Sequence, residues 1–436
     1  MAMTDVAGEP VQATQATRPT LITRVLQILG PGVITGASDD DPSGIGTYVV
    51  AGASLGYATL WTALLSFPMM MAVQYTCAKI GMVSGTGLAA VLRRRFPRPL
   101  VYAAVLGLAL ANTINAGADL GAIAAAINLL VPVPFMALIV PVGVAIVALQ
   151  LWGSYRMIVG CFKWLTLALL AYLGAALFAD PHWGEVLRGT FVPRLSLEPE
   201  YIAALVAIFG TTISPYMFFW QPSEELEEEI GRGRVTLQQR QDITDSDLKA
   251  ARWDTRIGMC FSNLVMYFII LATGATLYQQ GVMHITSAAE AAEALRPLAG
   301  DGAALLLAVG LIGSGFLAVP VLTGASAYAV ADTFGWKSSL SSKPREARGF
   351  YAVIVVGTAF GMAFNFLAIN PIDALFWTAV LNGFLAPPLL VLVMLVANDR
   401  SVMGPRTNGR GLNIVGWGTT ALMFAAALAL VATWSQ

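Results

Sequence analysis

The sequence predicts an all-α polytopic membrane protein, an inverted repeat of five plus five transmembrane helices with an eleventh helix behind them. Three observations carry that prediction. The chain is 57% hydrophobic and only 12% charged over 436 residues; because about 20 apolar residues cross a bilayer core, the supply allows roughly ten or more spans. The first apolar stretch is interrupted by Asp39-Asp40-Asp41-Pro42-Ser43-Gly44, and the sixth by Thr211-Thr212-Ile213-Ser214-Pro215. The breaks lie five spans apart, and an odd number of spans per repeat inverts the second copy in the membrane. That is the pattern of a secondary transporter with its site at the midplane, between two discontinuous helices.

Taken in order, residues 1–24 are small and polar, lack the apolar core and cleavage site of a signal peptide, and are expected to form a cytoplasmic tail. The first repeat, 25–180, holds spans at about 26–52, 58–81, 99–130, 134–152 and 155–178. An external loop, 181–200, leads to the second repeat, 201–397, with spans at about 201–220, 256–280, 303–330, 349–369 and 372–397. A cytoplasmic loop, 398–411, precedes the eleventh helix and C-terminus, 412–436. Orientation follows from lysine and arginine, which mark cytoplasmic loops. Arg93-Arg94-Arg95, Arg98, Arg156, the cluster from Arg232 to Arg256, Lys337 to Arg348 and Arg400 to Arg410 share one side, whereas Arg188, Arg194 and Arg296 occupy the other. The expected orientation is N-terminus cytoplasmic and C-terminus external, in an inner (plasma) membrane.

The acid-rich segment 222–254 is expected to be a cytoplasmic helical linker with a solvated charged face. Phe218-Phe219-Trp220 is expected at the membrane interface, where the sixth helix ends. His182 and His284 fall in external loops and are expected at the surface. Cys77, Cys161 and Cys260 lie far apart in apolar stretches, which argues against a disulfide framework or a thiolate cluster. A net charge of −1 excludes an electrostatic nucleic-acid binder. The expected partners are the lipid bilayer and a divalent metal ion as substrate, with no cofactor and no protein partner indicated.

The chemistry concentrates at the breaks. A carboxylate at membrane depth costs about 2.5–3.5 kcal/mol on insertion scales, which makes Asp41 a functional candidate. Breaking a helix frees carbonyls and amides that are tolerated only against protein or a water-filled cavity, and free carbonyls are hard oxygen ligands. Around the second break stand Thr211, Thr212, Ser214, Tyr216 and Gln221, all oxygen or amide groups. Carboxylate, carbonyl and water suit Mg²⁺, Ca²⁺ or Mn²⁺, whereas thioether and imidazole select transition metals. Mg²⁺ keeps several waters and needs only one or two carboxylates; with small Ser43 and Gly44 beside it, Asp41 is expected to leave room for a partly hydrated ion. Asp39 and Asp40 line the approach or ligate directly. On the third span, Asn112, Asn115 and Asp119 share one helix face, which makes either a packing seam or a cation path. Asn382 in the tenth span and Gln74 in the second carry the same two readings. Asp41 alone could also serve only as a cap on the second half-helix.

These residues resemble a known family. Gly30-Pro31-Gly32, followed by Asp41-Pro42, resembles the first helix of the NRAMP divalent-metal transporters, whose break reads Asp-Pro-Gly-Asn; Thr211–Pro215 resembles the sixth, whose break reads Ala-x-x-Met-Pro-His. Asn370-Pro371-Ile372 and Val380-Leu381-Asn382-Gly383 extend the resemblance to the tenth span. It implies the fold of the sodium-coupled amino-acid symporters, metal binding at Asp41, and a Thr211 backbone carbonyl as ligand. The departures point to a branch. Gly44 stands where the family's asparagine ligand belongs, Ser214 replaces the methionine that prefers transition metals, and Tyr216 replaces the histidine. The family's two proton-pathway acids would align with Ile114 and Gly117, and the ninth span, Gly349–Ala368, lacks the accompanying arginines. The pattern resembles the NRAMP-related magnesium transporters, which implies movement of Mg²⁺ and Mn²⁺ by alternating access without proton coupling. Two rivals remain at this stage: a proton-coupled Mn²⁺/Fe²⁺ importer with Asp119 as proton carrier, and an intramembrane aspartyl hydrolase using Asp41 with Asp119.

Overall fold

A computed structural model describes residues 31–153, 167–367 and 369–434. The tail, the start of the first span, most of the first half of the fifth span, Arg156 and Cys161 lie outside them. Among the described residues there are helices and turns and no strand. Among the described residues, eight helices are long and apolar enough to cross a membrane, or nine if one bent pair counts as a span.

The first span is two helices, α1 (Pro31–Asp39) and α2 (Pro42–Leu55). Proline opens α2, where its missing N–H costs nothing. Helix α3 (Trp61–Ser84) follows at 109° to α2, then α4 (Leu88–Arg95), whose last turn holds Arg93, Arg94 and Arg95 against the negative helix end. Next come α5 (Arg98–Leu130), α6 (Phe135–Trp152) and α7 (Ala171–Phe178), with α8 (Trp183–Phe191) inside the expected external loop. The second break separates α9 (Pro199–Thr212) from α10 (Pro215–Gly231), again with proline first. Capping boxes at Thr236 and Thr244 start α11 (Leu237–Gln241) and α12 (Asp245–Thr273). The remaining long helices are α13 (Ala303–Phe334), α14 (Arg348–Phe364), α15 (Pro371–Ala397) and α16 (Arg410–Trp434).

Packing divides the helices into groups. Helices α1, α2, α3, α10 and α12 pack on one another, as do α5, α6, α13 and α14; α15 bridges them, and α16 lies against α9 and α15. The α9–α15 seam is close. A Cβ on Gly210 would stand 2.8 Å from the Gly383 Cα and clash with the Ala379 carbonyl, so neither backbone has slack to give. Gly210→Val is expected to cost about 1–3 kcal/mol by overpacking and to lower the thermal-unfolding midpoint in detergent. A parental midpoint would show that the seam tolerates a side chain.

Two sequence expectations are corrected here. The sixth helix does not end at Phe218-Phe219-Trp220: α10 runs on to Gly231, and all three aromatics are fully buried, with Trp220 seated against Gly324 of α13. They are core, not an interfacial anchor. Nor is the acidic face of 222–230 solvated, since Glu224, Glu225 and Glu229 are buried under the neighbouring helices. Both histidines are exposed, as expected.

Candidate metal site

Asp41 is built into the first break as the N-cap of α2. Its Oδ1 accepts from the Gly44 amide at 2.6 Å and the Ser43 hydroxyl at 2.9 Å, and its Oδ2 accepts from the Asn115 Nδ2 at 3.3 Å. Three donors and a helix N-terminus stabilise the ionised carboxylate in a place where it is 1% exposed. Capping and ion binding are therefore compatible, because Oδ1 carries the cap while Oδ2 accepts only from Asn115 and keeps a lone pair.

Across from it, Thr211 reaches in from the end of α9. A Cβ on Gly44 would lie 3.0 Å from the Thr211 Oγ1, 3.2 Å from the Asp39 carbonyl oxygen and 3.3 Å from the Asp41 Oδ1. Oxygens of three residues thus converge beside Gly44. Thr211 and Tyr48, both fully buried, meet here, with the carboxyl groups of Asp39, Asp40 and Asp41 near the Tyr48 hydroxyl.

The other candidates sort by what they touch. Ser214, the N-cap of α10, turns its hydroxyl back to the carbonyls of Gly210 (2.9 Å) and Thr211 (2.7 Å). Thr212 is bonded to the Ile208 carbonyl of its own helix, at 2.8 Å. Tyr216 donates to the Ser38 carbonyl at 3.0 Å, which ties α10 to the freed end of α1. Asp39 and Asp40 are fully buried and share one hydroxyl: Ser262 of α12 stands 2.5 Å from the Asp39 Oδ2 and 3.2 Å from the Asp40 Oδ1. Gln221 lies further along α10, donating to Glu225 at 3.0 Å. Asn382 and Gln74 are buried, and the Asn382 Nδ2 and both amide atoms of Gln74 have no hydrogen-bond partner among the described residues.

The polar stripe of α5 divides in two. Asn112 donates to the Leu322 carbonyl (3.2 Å) and the Ser326 hydroxyl (3.0 Å) of α13, so it is a packing seam. Asn115 and Asp119 belong to the site instead, with Asp119 beside Asp41 and the Ser43 amide. Ile114 and Gly117 point elsewhere. Ile114 lines an apolar groove with Leu110, Val353 and Phe360, and Gly117 abuts Gly361 of α14. Helical geometry puts these two on the face opposite the site, so the α5 residue able to carry a proton there is Asp119. Sequence reasoning missed Ser262 and Tyr48, single polar groups in apolar helices with no local sign of their partners.

Among the described residues, no three or more His, Cys, Asp or Glu side chains converge as a metal-binding group. An ion at this site would meet Asp41, with Asp119 beside it, together with neutral oxygens. On one side, a cavity of about 590 Å³ lined by Ile45, Gly46, Val49, Asn128, Leu311 and Leu375 opens next to the break.

Comparison with known proteins agrees with this architecture. The Nramp family, described as natural resistance-associated macrophage protein-like, matches residues 32–433. The divalent metal cation transporter MntH of Deinococcus radiodurans is 28% identical over 425 residues, covering 96% of this chain and 92% of that protein. The manganese transporter of Eremococcus coleocola, solved with an aromatic bis-isothiourea substituted compound, shares the fold at a TM-score of 0.70 and 19% identity, covering 96% of this chain and 88% of that one. Mhp1, a nucleobase-cation-symport-1 family transporter, shares it more distantly, with a TM-score of 0.56 at 15% identity and 93% of each chain covered. With two broken helices facing each other and a family match across nearly all of its length, this chain belongs to the Nramp family.

Proposed function

We propose that the protein is a carrier of divalent cations, chiefly Mg²⁺ and also Mn²⁺, working by alternating access in the inner membrane with its N-terminus cytoplasmic and its C-terminus external. The observation that carries this reading is Asp41: a buried carboxylate that accepts from three donors at a helix break, with the Thr211 hydroxyl and the Asp39 carbonyl oxygen near by. Hard neutral oxygens around one carboxylate suit Mg²⁺ and Mn²⁺. The name of the Deinococcus radiodurans relative, a divalent metal cation transporter, supports the class. The inside-negative potential supplies about 2.3 kcal/mol per charge per 100 mV, enough to drive a dication inward without a second ion. The absence of the methionine at Ser214 fits the magnesium-transporting branch. The protein is not an enzyme in this reading; both oxygens of Asp41 are engaged by donors that position it for a cation rather than for paired acid–base work.

One observation favours a second reading. Asp119 stands beside Asp41, where a proton carrier would have to be. Uptake of Mg²⁺, Mn²⁺, Ca²⁺ and Fe²⁺ into proteoliposomes, with internal pH recorded, separates the two. The expected result is Mg²⁺ and Mn²⁺ entry with no acidification, and Asp119→Asn transporting at no less than about half the parental rate. Acidification that accompanies entry and vanishes in Asp119→Asn would replace the uncoupled mechanism with the coupled one.

A further inference from the structure

The acid-rich end of α10 contains a contact that ion binding does not explain. Glu227, half-buried, accepts from the Tyr328 hydroxyl at 2.8 Å, the Ser339 hydroxyl at 3.1 Å, the Leu340 amide at 3.0 Å and the Ser341 hydroxyl at 2.9 Å. Four donors on one carboxylate saturate it, and charge-assisted bonds of this kind are roughly twice as strong as neutral ones. The donors come from the end of α13 and the connection to α14, whereas Glu227 belongs to α10, so the contact joins the two packing groups. The connection is itself braced. The Tyr351 hydroxyl donates to the carbonyls of Leu340 (3.2 Å) and Ser342 (2.9 Å), and Lys337 pairs with Glu346 at 2.6 Å. Behind it, Trp220, Tyr328 and Phe350 stack edge to face with centroids 6.1 Å and 4.8 Å apart.

This closure lies on the face rich in Arg93, Arg94, Lys337, Lys343 and Arg345. The 590 Å³ cavity lies instead by α2 and the start of α15, beside Asn128 and Asn370. The cavity and the Glu227 contact thus lie at opposite ends of α13, the one by Leu307 and Leu311 and the other at Tyr328. We infer that Glu227 is a latch holding the cytoplasmic end of the carrier closed, and that its release from Ser339, Leu340 and Ser341 accompanies the opening that lets the ion leave inward. The inference rests on the alternating-access reading. It explains why a glutamate-rich turn is folded against the protein rather than left in water: the latch needs a charged acceptor on one helix group and several weak donors on the other, strong enough to hold and divisible enough to break.

The test is cysteine accessibility. It reads the closure itself and is independent of which ion is carried. Ser223 is buried one turn before Glu227 on the same face of α10. With Cys77, Cys161 and Cys260 replaced by alanine, Ser223→Cys becomes the single target for a membrane-impermeant maleimide applied to either face of reconstituted vesicles. Glu227→Ala is expected to raise the labelling rate from the basic face about tenfold, and Ser339→Ala with Ser341→Ala about threefold, by moving the population toward the open state. Glu228→Ala, which loses only its pair with Arg232, is expected to leave it unchanged. Labelling within twofold of the parent in both latch variants overturns the proposal. If Glu227→Ala does not elute as a single species, the double serine variant decides alone. A raised rate seen only from the opposite face keeps the latch and refutes the assigned orientation.

Discussion

Asp41→Asn is expected to abolish divalent-ion uptake while leaving the protein as stable as its parent. The side chain has two separable tasks. As an N-cap it accepts from the Gly44 amide and the Ser43 hydroxyl, and asparagine caps as well as aspartate. As an anion it supplies the charge closest to the Thr211 hydroxyl and the freed carbonyls of the break, and asparagine cannot replace that. A loss of about 100-fold in uptake at limiting Mg²⁺ corresponds to roughly 2.7 kcal/mol, a modest demand for a carboxylate against a doubly charged ion in a dry site. Asp41→Ala adds the loss of the cap, about 0.5–2 kcal/mol, and is expected to be equally inactive but less stable. Rates in proteoliposomes beside thermal midpoints in detergent distinguish the two tasks. Parental uptake in Asp41→Asn would sink the site assignment.

Ser214→Met is expected to invert selectivity, lowering Mg²⁺ uptake at least about tenfold while Mn²⁺ uptake persists and Cd²⁺ uptake rises. The serine hydroxyl is occupied with the Gly210 and Thr211 carbonyls, so its loss frees the Thr211 carbonyl and places a soft thioether at the opening of α10. Thioether sulfur is a poor ligand for Mg²⁺ and a good one for softer ions. Shifting a competition by tenfold takes only about 1.4 kcal/mol. Competition of Mg²⁺ against labelled Mn²⁺ is the direct measurement. Unchanged competition would mean that selectivity is set elsewhere in the cavity.

The breaks and the long apolar helices were legible because each has a strong local cause. Pro42 and Pro215 forbid continuation of α1 and α9, and runs such as Ala303–Phe334 or Pro371–Ala397 leave little choice of structure. The end of α10 was not legible. Glu224 to Glu229 read as solvated by charge alone, yet glutamate favours helix, and what buries Glu224, Glu225 and Glu229 is tertiary: α10 packs on α3 and α13, distant in sequence. Asp41 was legible from depth and Asn115 from its face, whereas Ser262 lies 223 residues from its partner Asp39, with no local pattern to connect them. Ile114 and Gly117 take the helix phase that faces the groove against α14, whereas Asn115 and Asp119 take the phase that faces Asp41. One or two positions in α5 carry a side chain from the site to the groove against α14, and only packing resolves that.

The hydrogen bond from Tyr216 to the Ser38 carbonyl has a mechanical consequence. It ties the start of α10 to the end of α1, so that in the carrier proposed above the two half-helices would be braced against each other, by about 0.5–1.5 kcal/mol. In the proposed cycle the joined pair would move together. Loading an ion and carrying it become distinct events, and a lesion at Tyr216 should blur them into leak.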